Sequence, residues 1–116
     1  MTIMYGIHNC DTVKKAIKWL EQEQISYQFY DLRKDGLTAE LLESLANKST
    51  WAELINKRST TYRNLSDEIK TNLTADVAAK IVLEQPTLLK RPLLLNNDQL
   101  HLGFKPAQYQ QIFNHE

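Results

Sequence analysis

Polar and apolar positions change period twice in the first third of the chain. Residues Thr2 to Ile7 are apolar-rich and partly β-branched, which predicts a short strand. Gly6 and the polar run His8, Asn9, Cys10 and Asp11 predict the turn that follows. Val13, Ala16, Ile17 and Leu20 then recur at helical spacing, with Lys14, Lys15 and Lys18 on the opposite face. The pattern predicts a helix from about Thr12 to Gln24. Tyr27 and Phe29 next alternate with polar neighbours, predicting a second strand over Ile25 to Leu32. A strand–helix–strand order of this kind implies two parallel strands joined by a helical crossover.

The run Lys34-Asp35-Gly36 breaks the chain before a long helical stretch. Thr38, Ser66 and Thr74 are each placed to cap a short helix, and Thr50-Trp51-Ala52-Glu53 has the form of a capping box. Separate caps predict several short helices, not one long one. The last third returns to strands: Leu93-Leu94-Leu95, a turn at Asn96-Asn97-Asp98, and alternation at Leu100-His101-Leu102 predict an antiparallel hairpin. Lys105-Pro106 opens a final helix with Tyr109, Ile112 and Phe113 facing inward. The fold class expected is α/β, a single domain over residues 1–116 with an all-helical insertion at approximately 38–85; the order β-α-β followed by β-β-α fits a thioredoxin-like plan, one α/β topology among a few that the pattern allows.

Composition narrows the functional classes. The 116 residues carry 14 basic and 14 acidic side chains. Zero net charge supplies no global attraction to nucleic acid or to an anionic membrane. The first residues lack the basic start and apolar run of a signal peptide, and no stretch suggests a membrane span. A single cysteine forms no internal disulfide and no structural zinc site on its own, so a cytoplasmic protein without metal is expected. His8, His101 and His115 show no ligand spacing and read as surface or turn residues. Trp19 and Trp51 read as packing residues.

The candidate chemistry sits in the first turn. Backbone N–H groups at a helix N-terminus point outward and the dipole end is partly positive, which favours a thiolate there, the nucleophilic form. Cys10 occupies that turn; Lys14, one helical turn on, adds positive charge, whereas Asp11 opposes it. The plain alternative is a buried cysteine acting as a small hydrophobe. A Cys-x-x-Cys pair would need a cysteine where Val13 stands, so an oxidised Cys10 has no neighbouring resolving thiol and needs an external one. Arg58, Arg63, Lys90, Arg91 and Lys105 are candidate anion partners, since arginine presents a fork of fixed donors. Pro92, entering a strand opposite the turn, is a candidate cis-proline. Ser59, Thr60 and Thr61 fit either an anion site or the start of a helix.

Four segments carry a family resemblance: Tyr5 to Ala16 around Asn9-Cys10-Asp11-Thr12, Lys57 to Tyr62, Lys90-Arg91-Pro92-Leu93, and Gly103-Phe104-Lys105-Pro106. Together they resemble the arsenate reductase (ArsC) family, and most closely its YffB-like branch with a single cysteine. The resemblance implies a thioredoxin-like fold, Cys10 as nucleophile, Arg91 as an anion-binding residue and Pro92 as a cis-proline. Arg58 and Lys105 would assist in holding the anion, with Asn9, Thr12 and Lys14 in support. No bound cofactor is expected. Glutathione is implied as co-substrate, with glutaredoxin as a partner, a small oxyanion or thiol as substrate, and a monomeric state.

Family reductases carry a histidine four residues before the cysteine, where this chain has Gly6, and an arginine where Lys105 stands. These departures speak against arsenate itself; the resemblance to the YffB-like branch implies glutathione-dependent thiol reduction, with arsenate reduction proper as an alternative. A sister branch, the Spx regulators, shares Arg58-Ser59 and the first helix. It implies a further alternative, a non-enzymatic adaptor that binds RNA polymerase.

Overall fold

The computed structural model describes Thr2 to Phe113. Strand β1 (Thr2–Gly6) leads into helix α1 (Asp11–Gln22) and strand β2 (Gln28–Asp31). A wide helical turn, Leu32–Gly36, precedes five helices: α2 (Ala39–Ala46), α3 (Trp51–Leu54), α4 (Thr60–Arg63), α5 (Asp67–Thr71) and α6 (Ala75–Glu84). A 3-10 turn at Pro86–Leu88, the hairpin β3 (Leu93–Asn96) and β4 (Gln99–Leu102), and helix α7 (Pro106–Phe113) complete the order. The α/β, thioredoxin-like class expected from the pattern is the one observed. Contacts divide the chain into two units: residues up to Leu32 with those from Arg91 onward, and Arg33–Lys90.

The first unit is built on a mixed sheet of order β2-β1-β3-β4. β1 pairs with β2 in parallel, Gly6 opposite Asp31, and with β3 antiparallel, Tyr5 opposite Leu93. β3 and β4 are joined by two residues, Asn97 and Asp98, both at positive φ (51° and 68°). That backbone is the primed turn whose twist matches the strands it connects, and Asn and Asp tolerate it. Met4 and Leu94 point from one sheet face into a buried cluster with Val13, Ala16 and Leu20 of α1 and Tyr109 of α7. Trp19, Phe104 and Phe113 surround the Tyr109 ring, with Phe104 and Trp19 meeting it edge-on at 4.7 and 5.6 Å. β4 lies at the sheet edge, where the Gln108 side-chain amide donates to the Leu102 carbonyl at 3.4 Å.

Element boundaries differ most from the sequence pattern at α1 and β2. α1 starts one residue earlier than expected, at Asp11, and ends two residues earlier, at Gln22. β2 is shorter, because Gln24 turns into the left-handed region (φ 57°) and the Ile25 N–H closes back on the Leu20 carbonyl at 3.0 Å. Ile25 thus closes the end of α1, and residues 25–27 have no regular structure before the strand begins at Gln28.

The second unit is specified locally. Thr38, Thr50, Ser59, Ser66 and Thr74 each accept a hydrogen bond from the backbone N–H three residues on, starting α2 to α6 in turn. The Ser59 hydroxyl also donates to the Asn56 carbonyl at 2.7 Å, and the Thr61 and Thr87 hydroxyls bond each other. The Ser59–Thr61 segment is therefore the start of a helix. Leu42, Leu45, Leu54, Ile55, Ala78, Val82, Leu88 and Leu89 are its buried apolar residues. No helix among the described residues is long and apolar enough to cross a membrane.

Candidate functional site

Sheet register brings four segments of the first unit to one end of the sheet. β1 and β2 run parallel and finish there at Gly6 and Asp31; β3 runs the other way and begins there at Leu93; β4 returns to finish at Leu102. The Ile7–Cys10 turn, Asp31, Arg91-Pro92 and Gly103-Phe104-Lys105 consequently share that end. The Gly103 N–H donates to the Pro92 carbonyl at 2.9 Å and fastens two of them.

Cys10 is the N-cap residue of α1, in an extended conformation (φ −84°, ψ 126°) with no capping bond from its side chain. Its N–H donates to the Ile7 carbonyl at 3.0 Å, and its own carbonyl accepts from the Lys14 N–H at 3.0 Å, the first turn of the helix. The thiol is free and half-buried, and the side chain packs against the cluster formed by Met4, Val13 and Leu94. The geometry joins a sulfur uncommitted to any cap with the partly positive end of a twelve-residue helix.

Around it, Asn9 and Lys14 are exposed and Thr12 is half-buried. The Arg91-Pro92 peptide bond is cis, and Pro92 is buried. Arg91 is half-buried, and among the described residues its Nε is a buried donor with no hydrogen-bond partner. Buried donors are nearly always satisfied, so such a group is a ready site for an acceptor. Lys105 is exposed and immediately precedes α7, its carbonyl accepting from the Tyr109 N–H at 3.1 Å. Arg58 belongs to the helical unit. It is exposed, with its backbone N–H held by the Asn56 side chain at 3.1 Å.

The roles of two residues at this sheet end were not legible in the sequence pattern. Asp31 is a buried carboxylate, 6% exposed, that accepts the His8 N–H at 3.1 Å and ties the turn to β2. An acid closing the apolar run Phe29-Tyr30 was its only sequence signal. Gly6 is the other. A Cβ added there would stand 2.8 Å from Cγ2 of Val13, so the turn is closed by direct backbone contact with the first turn of α1. A side chain at position 6 would require the Val13 side chain to shift.

Among the described residues the buried Tyr109 hydroxyl has no partner, and burial pushes its ionisation above the usual tyrosine range. His101 lies in β4, where partial burial lowers its pKa; His115 lies outside the described residues. Among the described residues no cluster of three His, Cys, Asp or Glu side chains could hold a metal.

Comparison with known proteins is consistent across most of the chain. The ArsC family model matches residues 5–112. The solution structure of an arsenate reductase (ArsC) related protein from Brucella melitensis is 43% identical, with a TM-score of 0.83, covering 97% of this chain and 94% of that one. A solved YffB protein is 35% identical with a TM-score of 0.85, covering 96% and 97%. The global transcriptional regulator Spx 2 of Bacillus anthracis is 29% identical over 93% of this chain and 83% of its own length.

Proposed function

The chain belongs to the ArsC family, and from that premise we propose that it is a glutathione-dependent thiol oxidoreductase with Cys10 as its nucleophile. The observation that carries the reading is the Cys10 side chain. It starts α1 without serving as its cap, at the sheet end it shares with Arg91-Pro92 and Lys105.

In the reaction, the Cys10 thiolate attacks the glutathionyl sulfur of a mixed disulfide. That S–S bond breaks as a Cys10–glutathione disulfide forms, and the released thiolate takes up a proton. A glutathione thiolate, its proton given up, then attacks the glutathionyl sulfur of the adduct; glutathione disulfide leaves and Cys10 is restored. Net, one mixed disulfide and one glutathione become one free thiol and one glutathione disulfide, with electrons and protons balanced. Arg91 holds a carboxylate of glutathione through its fork, using the unpartnered Nε, and Lys105 adds a point charge. Asn9, Thr12 and Lys14 shape the turn around the sulfur. Glutaredoxin serves as an alternative thiol donor, and the protein acts as a cytoplasmic monomer without a bound cofactor.

The test is turnover of a small glutathione mixed disulfide, coupled to glutathione reductase, together with Cys10 alkylation by iodoacetamide. The expected outcome is turnover that Cys10→Ser abolishes, a KM for the mixed disulfide raised about tenfold or more by Arg91→Ala, and protection from alkylation by S-methylglutathione. Turnover and protection with arsenate alone would favour an arsenate reductase. No turnover, with RNA polymerase bound equally by wild type and Cys10→Ser, would sink the enzymatic reading in favour of a Spx-like adaptor.

A further inference from the structure

The helical unit contains a cleft of about 250 Å³ whose wall includes Trp51, Ile55, Tyr62 and Leu73 and whose charged members are Lys57 and Lys70. None of its lining side chains is acidic. Glu53 shares α3 with Trp51, and Asp67 and Glu68 share α5 with Lys70, yet none of them lines the cleft.

Lys70 is half-buried and held in place: its ammonium sits 5.4 Å from the centre of the Tyr62 ring and donates to the Arg63 carbonyl at 3.2 Å. An ammonium has three donors, so this leaves donors for a ligand. Neither Lys57 nor Lys70 pairs with a carboxylate among the described residues. Two uncompensated cations beside an aromatic and aliphatic wall favour an anion attached to an apolar body.

The size and the donor type define that ligand further. The volume is below the usual range for drug-sized sites, roughly 300–1,000 Å³, which suits one ring system with a short charged arm. The cationic groups are lysines, point charges without the rigid fork that reads phosphate bidentately. We infer that this cleft is a binding site for a small aromatic monocarboxylate, its ring against Trp51 and Tyr62 and its carboxylate between Lys57 and Lys70. The site lies wholly within the helical unit and is independent of the thiol chemistry proposed for Cys10.

Indole-3-acetate and its neutral counterpart indole-3-acetamide are the probes, titrated into the full-length protein with backbone amide NMR shifts as the readout. The expected result is saturable shifts at residues 51–57, 62 and 70–73, binding of the amide about fivefold weaker, and a similar loss in Lys57→Met and Lys70→Met. Lys70→Arg restores binding, which separates charge from any structural effect of removing the Arg63 contact. Cys10→Ser leaves the titration unchanged. Equal binding of acid and amide, shifts centred on Cys10 and Arg91, or no saturation in the wild type would each overturn the proposal.

Discussion

Five helices in the Arg33–Lys90 unit start on a serine or threonine whose hydroxyl accepts a backbone N–H; α1, in the sheet unit, starts on Cys10, whose side chain accepts none. A hydroxyl cap contributes about 1 kcal/mol to the helix it starts. The five caps follow a local rule, each satisfied within three residues of chain. Cys10 departs from that rule at a helix start placed beside the cis-proline end of the sheet. The contrast teaches that local consistency governs the helical unit, whereas the sheet unit depends on contacts between residues far apart in sequence.

That contrast can be broken most severely in the sheet unit. Leu94→Ala removes a fully buried side chain that meets α1 and α7, and should cost about 2–5 kcal/mol in urea denaturation. Gly6→Ala is expected to cost about 1–3 kcal/mol, because the new methyl must displace the buried Val13 side chain. The double variant Gly6→Ala/Val13→Ala should lose less than the sum of the two single changes. Additive losses would show that the Gly6–Val13 contact is not what closes the turn.

A single cap is a smaller matter. Thr74→Ala should lower stability by about 1 kcal/mol through α6 alone, with no effect on thiol turnover. Cys10→Ser sharpens the comparison from the other side. Serine is a preferred cap, so the inactive variant should be more stable than wild type, by roughly 0.5–1 kcal/mol. A loss of stability would mean that the packing of the sulfur against Met4 and Val13 outweighs the missing cap.

The smallest effect expected is that of pH. Partial burial lowers the His101 pKa below 6.5, so the unfolded chain binds the proton more readily than the folded one. Stability is therefore held above that value and declines as the pH falls below it. Comparing urea midpoints between pH 7.5 and 5.5 should show a slope that His101→Gln reduces.

Much of the fold was legible in the sequence because its signals are local. The caps at Thr38, Thr50, Ser66 and Thr74, the Asn97-Asp98 hairpin and the apolar stripe of α1 each depend on neighbours within a few positions. The end of β2 was not legible, because residues 25–27 alternate like a strand while the Leu20 carbonyl claims Ile25. The site divided in the same way. Cys10, Arg91, Pro92 and Lys105 could be named as residue types in a recognisable order. The Asp31 clasp on the His8 N–H and the close approach of Gly6 to Val13 exist only once β1, β2 and α1 are in register.

The hairpin has a consequence for the protein's behaviour at high concentration. Its two-residue turn makes Asn96–Gln99 and Leu94–His101 the hydrogen-bonded pairs, so Leu100 and Leu102 direct their backbone groups away from the sheet. An outward-facing strand of this kind can recruit the edge of another molecule. Gln108 already donates to the Leu102 carbonyl, so of the two outward-facing residues Leu100 is the one engaged by no side chain. An outward edge of only two residues, one of them already engaged by a side chain, is a short template for another strand, which is one of the ways sheet proteins blunt edge-to-edge association.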